Sequence, residues 1–140
     1  MSNQQTLDVR TSTIEIPVRG YHLDVFKHVN NARYLEFLEE ARWAHFEKND
    51  TMNTAMQRGF ATVIAHYDIS YKYPATIGQT LEVKTCFESI GKSSVVFRQQ
   101  IFLKGTDKVV VDAKVTFVVI DLKTQRPVEI PEDLKDEFYK

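Results

Sequence analysis

With 140 residues, of which 43% are hydrophobic and 26% charged, the chain is expected to fold as one globular domain spanning residues 1–140. Its formal net charge of −1 gives it no overall positive field that would attract nucleic acid. Cys86 is the single cysteine, so no disulfide can form within the chain.

The beginning of the chain carries no recognisable targeting pattern. In the first thirty residues no basic segment is followed by an apolar run, and no stretch of the chain approaches the length of a membrane span. We therefore expect a cytoplasmic protein without membrane insertion, and the low cysteine content agrees with a reducing compartment.

The first ordered element is expected to be a strand over residues 7–18. Its apolar alternation slips near Thr13, which indicates a bend or bulge. Pro17 cannot donate a ladder hydrogen bond, so it is expected at a sheet edge or a strand end. Residues 1–6 are polar and are expected to be frayed.

A long helix is predicted over residues 31–48. Asn30 or Asn31 can cap it, because an asparagine side chain accepts a hydrogen bond from a free N–H of the first turn. Apolar residues cover much more than one stripe of this helix, so we expect protein to enclose most of it. Residues 49–59 are predicted to form a loop.

After this loop, the hydrophobic pattern changes from a helical to a strand-like period. Alternating segments over residues 61–73, 80–88, 95–103 and 109–121 are joined by short turns, which predicts antiparallel neighbours. Together with the first strand and the long helix, they predict an α+β fold. In this fold, a curved antiparallel sheet of about five strands wraps around the central helix. The tail, residues 131–140, can add a short terminal helix.

Asp24 lies in a short loop that leads into the predicted helix. A carboxylate that faces the positive N-terminal end of a helix is well placed for attack on a carbonyl group. It could activate a water molecule as a general base, or attack directly as a nucleophile. The alternative is that Asp24 only forms an Asx turn in the loop.

The run VRGYHLDVFKHVNNARYLEFLEEARW, residues 18–43, resembles the hotdog-fold acyl-CoA thioesterases. Its aspartate followed by HVNN is similar to the branch related to 4-hydroxybenzoyl-CoA thioesterase. The whole run is especially similar to the bacterial long-chain acyl-CoA thioesterase III group. Weaker likeness in the strands extends the resemblance over about residues 14–125. It implies that the chain is a single hotdog thioesterase domain.

The resemblance also implies an activity, which is hydrolysis of fatty acyl-CoA, with long chains preferred, to a free fatty acid and CoA. The alternatives are a thioesterase acting on acyl carrier protein and a non-catalytic acyl-CoA-binding protein. No cofactor is implied, and no metal site is expected because neither HxxxH nor CxxC occurs. Members of the family assemble as dimers or tetramers with sites at subunit interfaces, so a homodimer or homotetramer is expected.

The resemblance assigns the catalytic role to Asp24. It places the oxyanion donor seven residues later, at the backbone N–H of Asn31, whose side chain is a second candidate that could orient water or cap the helix. His28 could form a dyad with Asp24, although we favour a role in loop geometry. Glu39, the motif glutamate of the helix, is interpreted as structural support that could pair with Arg42.

Two substrate-binding regions are also predicted. Lys92, Ser93 and Ser94 follow a glycine and could contact the CoA phosphates, although a solvated turn is an equal alternative. The fatty chain needs an apolar slot. The aromatic residues that could line it, each of which could equally be plain core, are Phe37, Phe46, Phe60 and Trp43.

Overall fold

The computed structural model describes residues 11–138, and the elements appear in the predicted order. The strands are β1 (Ser12–Pro17), β2 (Phe60–Tyr71), β3 (Thr80–Ile90), β4 (Ser94–Leu103) and β5 (Val109–Asp121). The helices are α1 (Asn31–Asn49), α2 (Thr51–Gln57) and α3 (Glu132–Phe138), and a single 3₁₀ turn covers Gly20–His22. The expected frayed segment and the first residues of the predicted first strand lie outside the described residues.

All five strands form one antiparallel sheet in the order β1-β3-β4-β5-β2. The predicted α+β fold of five strands and one long helix is confirmed. Strand β1 lies at one edge and ends at Pro17, which pairs with Thr80. Pro17 therefore occupies the edge position that its missing N–H requires. No helix in the described part of the chain is long and apolar enough to cross a membrane.

Helix α1 begins at Asn31, as predicted, and Asn30 is its N-cap. It ends where Asp50 adopts a left-handed conformation with φ of 59° and donates its N–H to the carbonyl of Phe46. The expected loop over residues 49–59 is wrong in part, because α2 occupies most of it. Burial of Thr51 and Ala55 supports this short helix, a tertiary effect that local propensity does not reveal.

The sheet covers only one face of α1. Leu38 and Ala41 are buried against it, whereas Glu39, Glu40 and Trp43 on the other side are exposed. The expectation that protein encloses most of this helix is therefore not met by the described residues.

The core consists of two apolar clusters separated by a polar layer. Val83 and Phe87 on β3 belong to different clusters, and buried Thr85 lies between them. On β4, buried Gln99 likewise separates Phe97 from the other cluster. The buried polar residues at this level are Ser12, Arg42, His45, Thr85 and Gln99.

Strand β2 is not the uninterrupted alternating strand that was predicted. Its register against β5 shifts between Ile64 and His66, which marks a bulge at Ala65. A bulge adds one residue and reverses the alternation beyond it. As a result, Ile64 before the bulge and Tyr67 after it line the same cavity, which is described below.

Candidate active site

The Asp24 loop, defined as residues 19–30, is closed by its own backbone. The Asp24 N–H donates to the His28 carbonyl at 2.9 Å, and the Lys27 N–H donates to the Asp24 carbonyl at 3.0 Å. Lys27 adopts a left-handed conformation with φ of 66°. The loop is tied to the β2–β3 connection, because the Val29 N–H donates to the Ala75 carbonyl at 2.9 Å.

The carboxylate of Asp24 is held by one of its two oxygens. Oδ1 accepts hydrogen bonds from the N–H groups of Phe26 at 2.9 Å and His28 at 3.4 Å. Oδ2 receives no hydrogen bond from any described residue, and the side chain is exposed. The Asx turn weighed as an alternative to catalysis is therefore present, and it leaves one oxygen available for chemistry.

His28 contacts Asp24 through its backbone alone. Its N–H and carbonyl both bond to Asp24, whereas its imidazole is exposed and forms no hydrogen bond with Asp24. The residue thus contributes to the shape of the loop, and the arrangement gives no support to a proton-transfer dyad.

The N-terminus of α1 leaves one free donor. The Asn30 side chain accepts a hydrogen bond from the Ala32 N–H at 2.9 Å, and the Asn30 carbonyl accepts one from the Arg33 N–H at 2.9 Å. Within residues 11–138 the Asn31 N–H forms no hydrogen bond, and the Asn31 side chain is exposed. The Asn31 amide is therefore an unpaired donor at the positive end of the helix.

His22 supports both the Asp24 loop and the N-terminus of α1, a role that sequence reasoning missed. Its carbonyl accepts a hydrogen bond from the N–H of the cap residue Asn30 at 2.9 Å, and its Nδ1 accepts one from the Arg19 N–H at 2.9 Å. The ring packs edge-on against Phe37. Burial, followed by the positive charge of Arg33, lowers the pKa of His22.

The predicted pairing of Glu39 with Arg42 within helix α1 does not form. The Arg42 guanidinium donates instead to Oε1 of Gln99 at 3.1 Å and to the hydroxyl of Tyr67 at 2.9 Å. Arg42 is buried and its guanidinium reaches partners on the sheet, whereas the neighbouring Glu39 is exposed to solvent.

An apolar cavity of about 560 Å³ opens between α1, α2 and the β2 edge of the sheet. Its lining residues are Glu39, Arg42, Trp43, Phe46, Met52, Met56, Thr62, Ile64, Tyr67 and Phe117. Phe37 is buried in the core near His22 and does not line it. Sequence reasoning missed the two methionines, because they lie in the segment that was predicted to be a loop.

The residues predicted to contact CoA phosphates lie far from Asp24 in the same subunit. Lys92 and Ser93 lie in the β3–β4 turn and Ser94 begins β4; the Gly91 N–H donates to the Ser94 carbonyl at 2.7 Å. Strand β3 starts next to the Asp24 loop and ends at this turn, so its length separates the two regions by roughly 30 Å. One subunit does not bring them together.

Comparison with known proteins finds similarity along most of the chain. The family model described as the thioesterase-like superfamily matches residues 18–138. The chain is 42% identical over 124 residues to the long-chain acyl-CoA thioesterase FadM of Escherichia coli, covering 89% of this chain and 94% of FadM. It is 31% identical over 140 residues to the chloroplastic acyl-acyl carrier protein thioesterase ATL2 of Arabidopsis thaliana, covering 94% of this chain and 74% of ATL2. The crystal structure of YbaW, a probable thioesterase from Escherichia coli, matches with a TM-score of 0.86 at 41% identity, over 91% of this chain and 96% of YbaW.

Proposed function

The chain belongs to the thioesterase-like superfamily, and from this premise we propose that it hydrolyses long-chain fatty acyl-CoA to a free fatty acid and CoA. The observation that carries the proposal is local. A carboxylate with one free oxygen and an unpaired helix N–H are built on the same short loop and cap.

We assign the attack to Oδ2 of Asp24. As a general base it takes a proton from water, whose oxygen adds to the thioester carbon, and collapse of the tetrahedral intermediate breaks the C–S bond. The CoA thiolate leaves and is then protonated. In the alternative route, Asp24 itself adds to the carbon and water hydrolyses the resulting anhydride. The anchored Oδ1 fixes the carboxylate for either route.

The Asn31 N–H is the proposed oxyanion donor. Negative charge develops on the carbonyl oxygen during attack, and a backbone N–H at a helix N-terminus stabilises it without reorganisation. Because Asn30 already uses its side chain to cap the Ala32 N–H, the Asn31 amide is left for the substrate.

The proposal includes assembly of the protein into a homo-oligomer. Strand β2 is a long edge strand with exposed apolar residues, among them Val63 and Tyr71. Such an edge favours pairing with a second chain. Edge pairing of two copies would also allow Lys92 of one subunit to serve the Asp24 loop of the other. We expect Val63→Lys to shift the protein toward monomer in light scattering.

The function is tested by CoA release from saturated and unsaturated acyl-CoA esters of increasing chain length. The proposal predicts turnover that is fastest for long chains, with Asp24→Asn folded but inactive. Asp136→Asn, an exposed aspartate on α3, serves as the matched control. An active Asp24→Asn variant would remove Asp24 from the mechanism.

Two further measurements separate the alternatives. The similarity to ATL2 makes acyl carrier protein thioesters the second candidate substrate, and they are assayed in parallel. A wild type that binds acyl-CoA tightly yet releases no thiol from either carrier would instead be a binding protein.

A further inference from the structure

The apolar cavity is built from four elements: α1, α2, β2 and, through Phe117, β5. Helix α1 contributes Glu39, Arg42, Trp43 and Phe46, spaced at three and four residues so that they form one stripe. Helix α2 contributes Met52 and Met56, which are four residues apart. The stripes face each other across a gap of about 560 Å³, a volume typical of sites for small ligands.

The bulge in β2 completes the wall. Thr62 and Ile64 face the cavity before the bulge and Tyr67 faces it afterwards, although strict alternation would turn Tyr67 away. Two polar groups of the lining pair with each other, because Arg42 donates to the Tyr67 hydroxyl at 2.9 Å, and the carboxylate of Glu39 is exposed to solvent. The wall therefore presents mostly carbon surface to an occupant.

The cavity lies further along α1 than the candidate catalytic residues, which are at the N-terminus of this helix. From Asn31 to Glu39 the helix rises about 12 Å, and from Asn31 to Phe46 about 22 Å. Strand β2 runs back in the opposite direction, since Tyr71 donates its hydroxyl to the Asn31 carbonyl at 3.4 Å. Met52 and Met56, which follow α1, thus lie at the end of the cavity far from the Asp24 loop.

Exposure of the apolar lining residues to water carries a free-energy cost. Trp43 is 62% exposed, Met56 57% and Ile64 38%. An exposed patch of large apolar side chains, continuous with a concave surface, marks a binding site. An extended hydrocarbon chain, held by its carbonyl at the helix N-terminus, has the shape and polarity to fill it.

We propose that this cavity binds the distal part of the acyl chain and that Met56, with Met52, limits the chain length that the enzyme accepts. The proposal rests on the function proposed above and adds the residues that select the substrate. Short acyl chains end before Glu39 and leave the cavity empty. Long chains enter it and gain apolar contact, and methionine side chains adapt to their ends.

The chain carries a built-in probe, because Trp43 is the only tryptophan and lines the cavity. The Asp24→Asn variant would be titrated with acyl-CoA esters brominated at the terminal carbon, since bromine quenches indole fluorescence on contact. We expect strong quenching by the bromohexadecanoyl ester and little by the bromo-octanoyl ester. Equal quenching at both lengths, or none at saturating ligand, would overturn the proposal.

An activity measurement gives a second test. Met56→Trp fills the far end of the cavity, and we expect the ratio of kcat/KM for palmitoyl-CoA over octanoyl-CoA to fall at least tenfold. Asn53→Trp, on the same helix but outside the lining, is the matched control. An unchanged ratio in a folded Met56→Trp enzyme, or an equal fall in the control, contradicts the proposal.

The two proposals fail in different ways. A wild type that releases no CoA from any ester would refute the proposed function. A wild type that releases CoA, but whose Trp43 fluorescence does not depend on chain length, would refute only the assignment of the cavity.

Discussion

Arg42 donates a hydrogen bond of 3.1 Å to Oε1 of Gln99, although the two residues are 57 positions apart in the chain. The amide nitrogen of Gln99 donates in turn to the Leu38 carbonyl and the Thr85 hydroxyl, both at 2.9 Å. Gln99 is fully buried. One side chain thus joins α1 to two strands, and only one orientation of its amide satisfies every partner.

Replacing Gln99 with methionine should therefore be strongly destabilising. The change removes the acceptor of one donor of the buried Arg42, a partner of the Thr85 hydroxyl and one of the hydrogen bonds of the Leu38 carbonyl, which costs about 3 kcal/mol of unfolding free energy. Urea unfolding measures this loss. Gln100→Met, at the neighbouring and half-buried position, should change stability by less than about 0.5 kcal/mol. Similar losses for the two variants would contradict the network argument.

The backbone donor of Asn31 can be deleted by substitution, because Asn31 is the first residue of α1. Proline is tolerated at this helix position, and the extended Asn30, with ψ of 135°, already has the conformation that a following proline requires. We expect Asn31→Pro to lower kcat by about 10²- to 10³-fold while the protein remains folded.

Asn31→Ala is the partner variant, since it removes the side chain and keeps the N–H. If the backbone is the oxyanion donor, its kcat should be far higher than that of Asn31→Pro. Equal losses in the two variants would point to the side chain as the group that acts.

Burial of His22 makes stability depend on pH. Its pKa is lowered in the folded state from the ordinary value of 6.5, mainly because burial disfavours the charged form. Below that value the unfolded chain therefore binds more protons, and stability falls as the pH drops from 6.5 toward the folded pKa. Above 6.5 this contribution is fully present.

His22→Asn should reduce this loss of stability at acid pH, because asparagine keeps an acceptor for the Arg19 N–H but does not titrate. Thermal unfolding between about pH 7.5 and pH 5.5 measures the slope. His66→Asn, at an exposed position on β2, is the control. An unaltered slope in His22→Asn would show that other groups cause the loss.

Subunit mixing tests whether Lys92 acts across an interface. Lys92→Ala should raise KM by about fivefold if the ammonium contacts a phosphate. In a dimer that joins an Asp24→Asn chain to a Lys92→Ala chain, contact in trans leaves one site intact, which restores about half of the wild-type activity. Contact within one subunit leaves no intact site, so the hybrid would then stay impaired at low substrate concentration.

The parts of the fold that depend on neighbours in the chain were predictable from sequence. The start of α1 and its asparagine cap follow from local hydrogen bonding. The series of strands joined by short turns follows from the alternation of apolar and polar residues. The Asp24 loop was likewise located by a contiguous motif. That its carboxylate both forms an Asx turn and keeps a free oxygen required the three-dimensional structure.

The parts that depend on distant contacts were not predictable. Helix α2 carries two methionines among polar and small residues, and burial of Thr51 and Ala55 supports it. The partner of Arg42 lies on β4, beyond any helical spacing. The bulge at Ala65, which turns Tyr67 into the cavity, leaves no distinctive signature in a strand of alternating residues.

The hydrogen bonds of the Asp24 loop lie within residues 19–33 or reach residues 75–76, whereas the cavity begins at Glu39 and ends on α2. A change at Met56 therefore leaves the bonds that hold the carboxylate undisturbed. Lineages descending from such a scaffold could acquire new chain preferences through a few substitutions on α2 and β2, without passing through inactive ancestors. With the proposed separation of reaction from selection along a single helix, the architecture is readily evolvable.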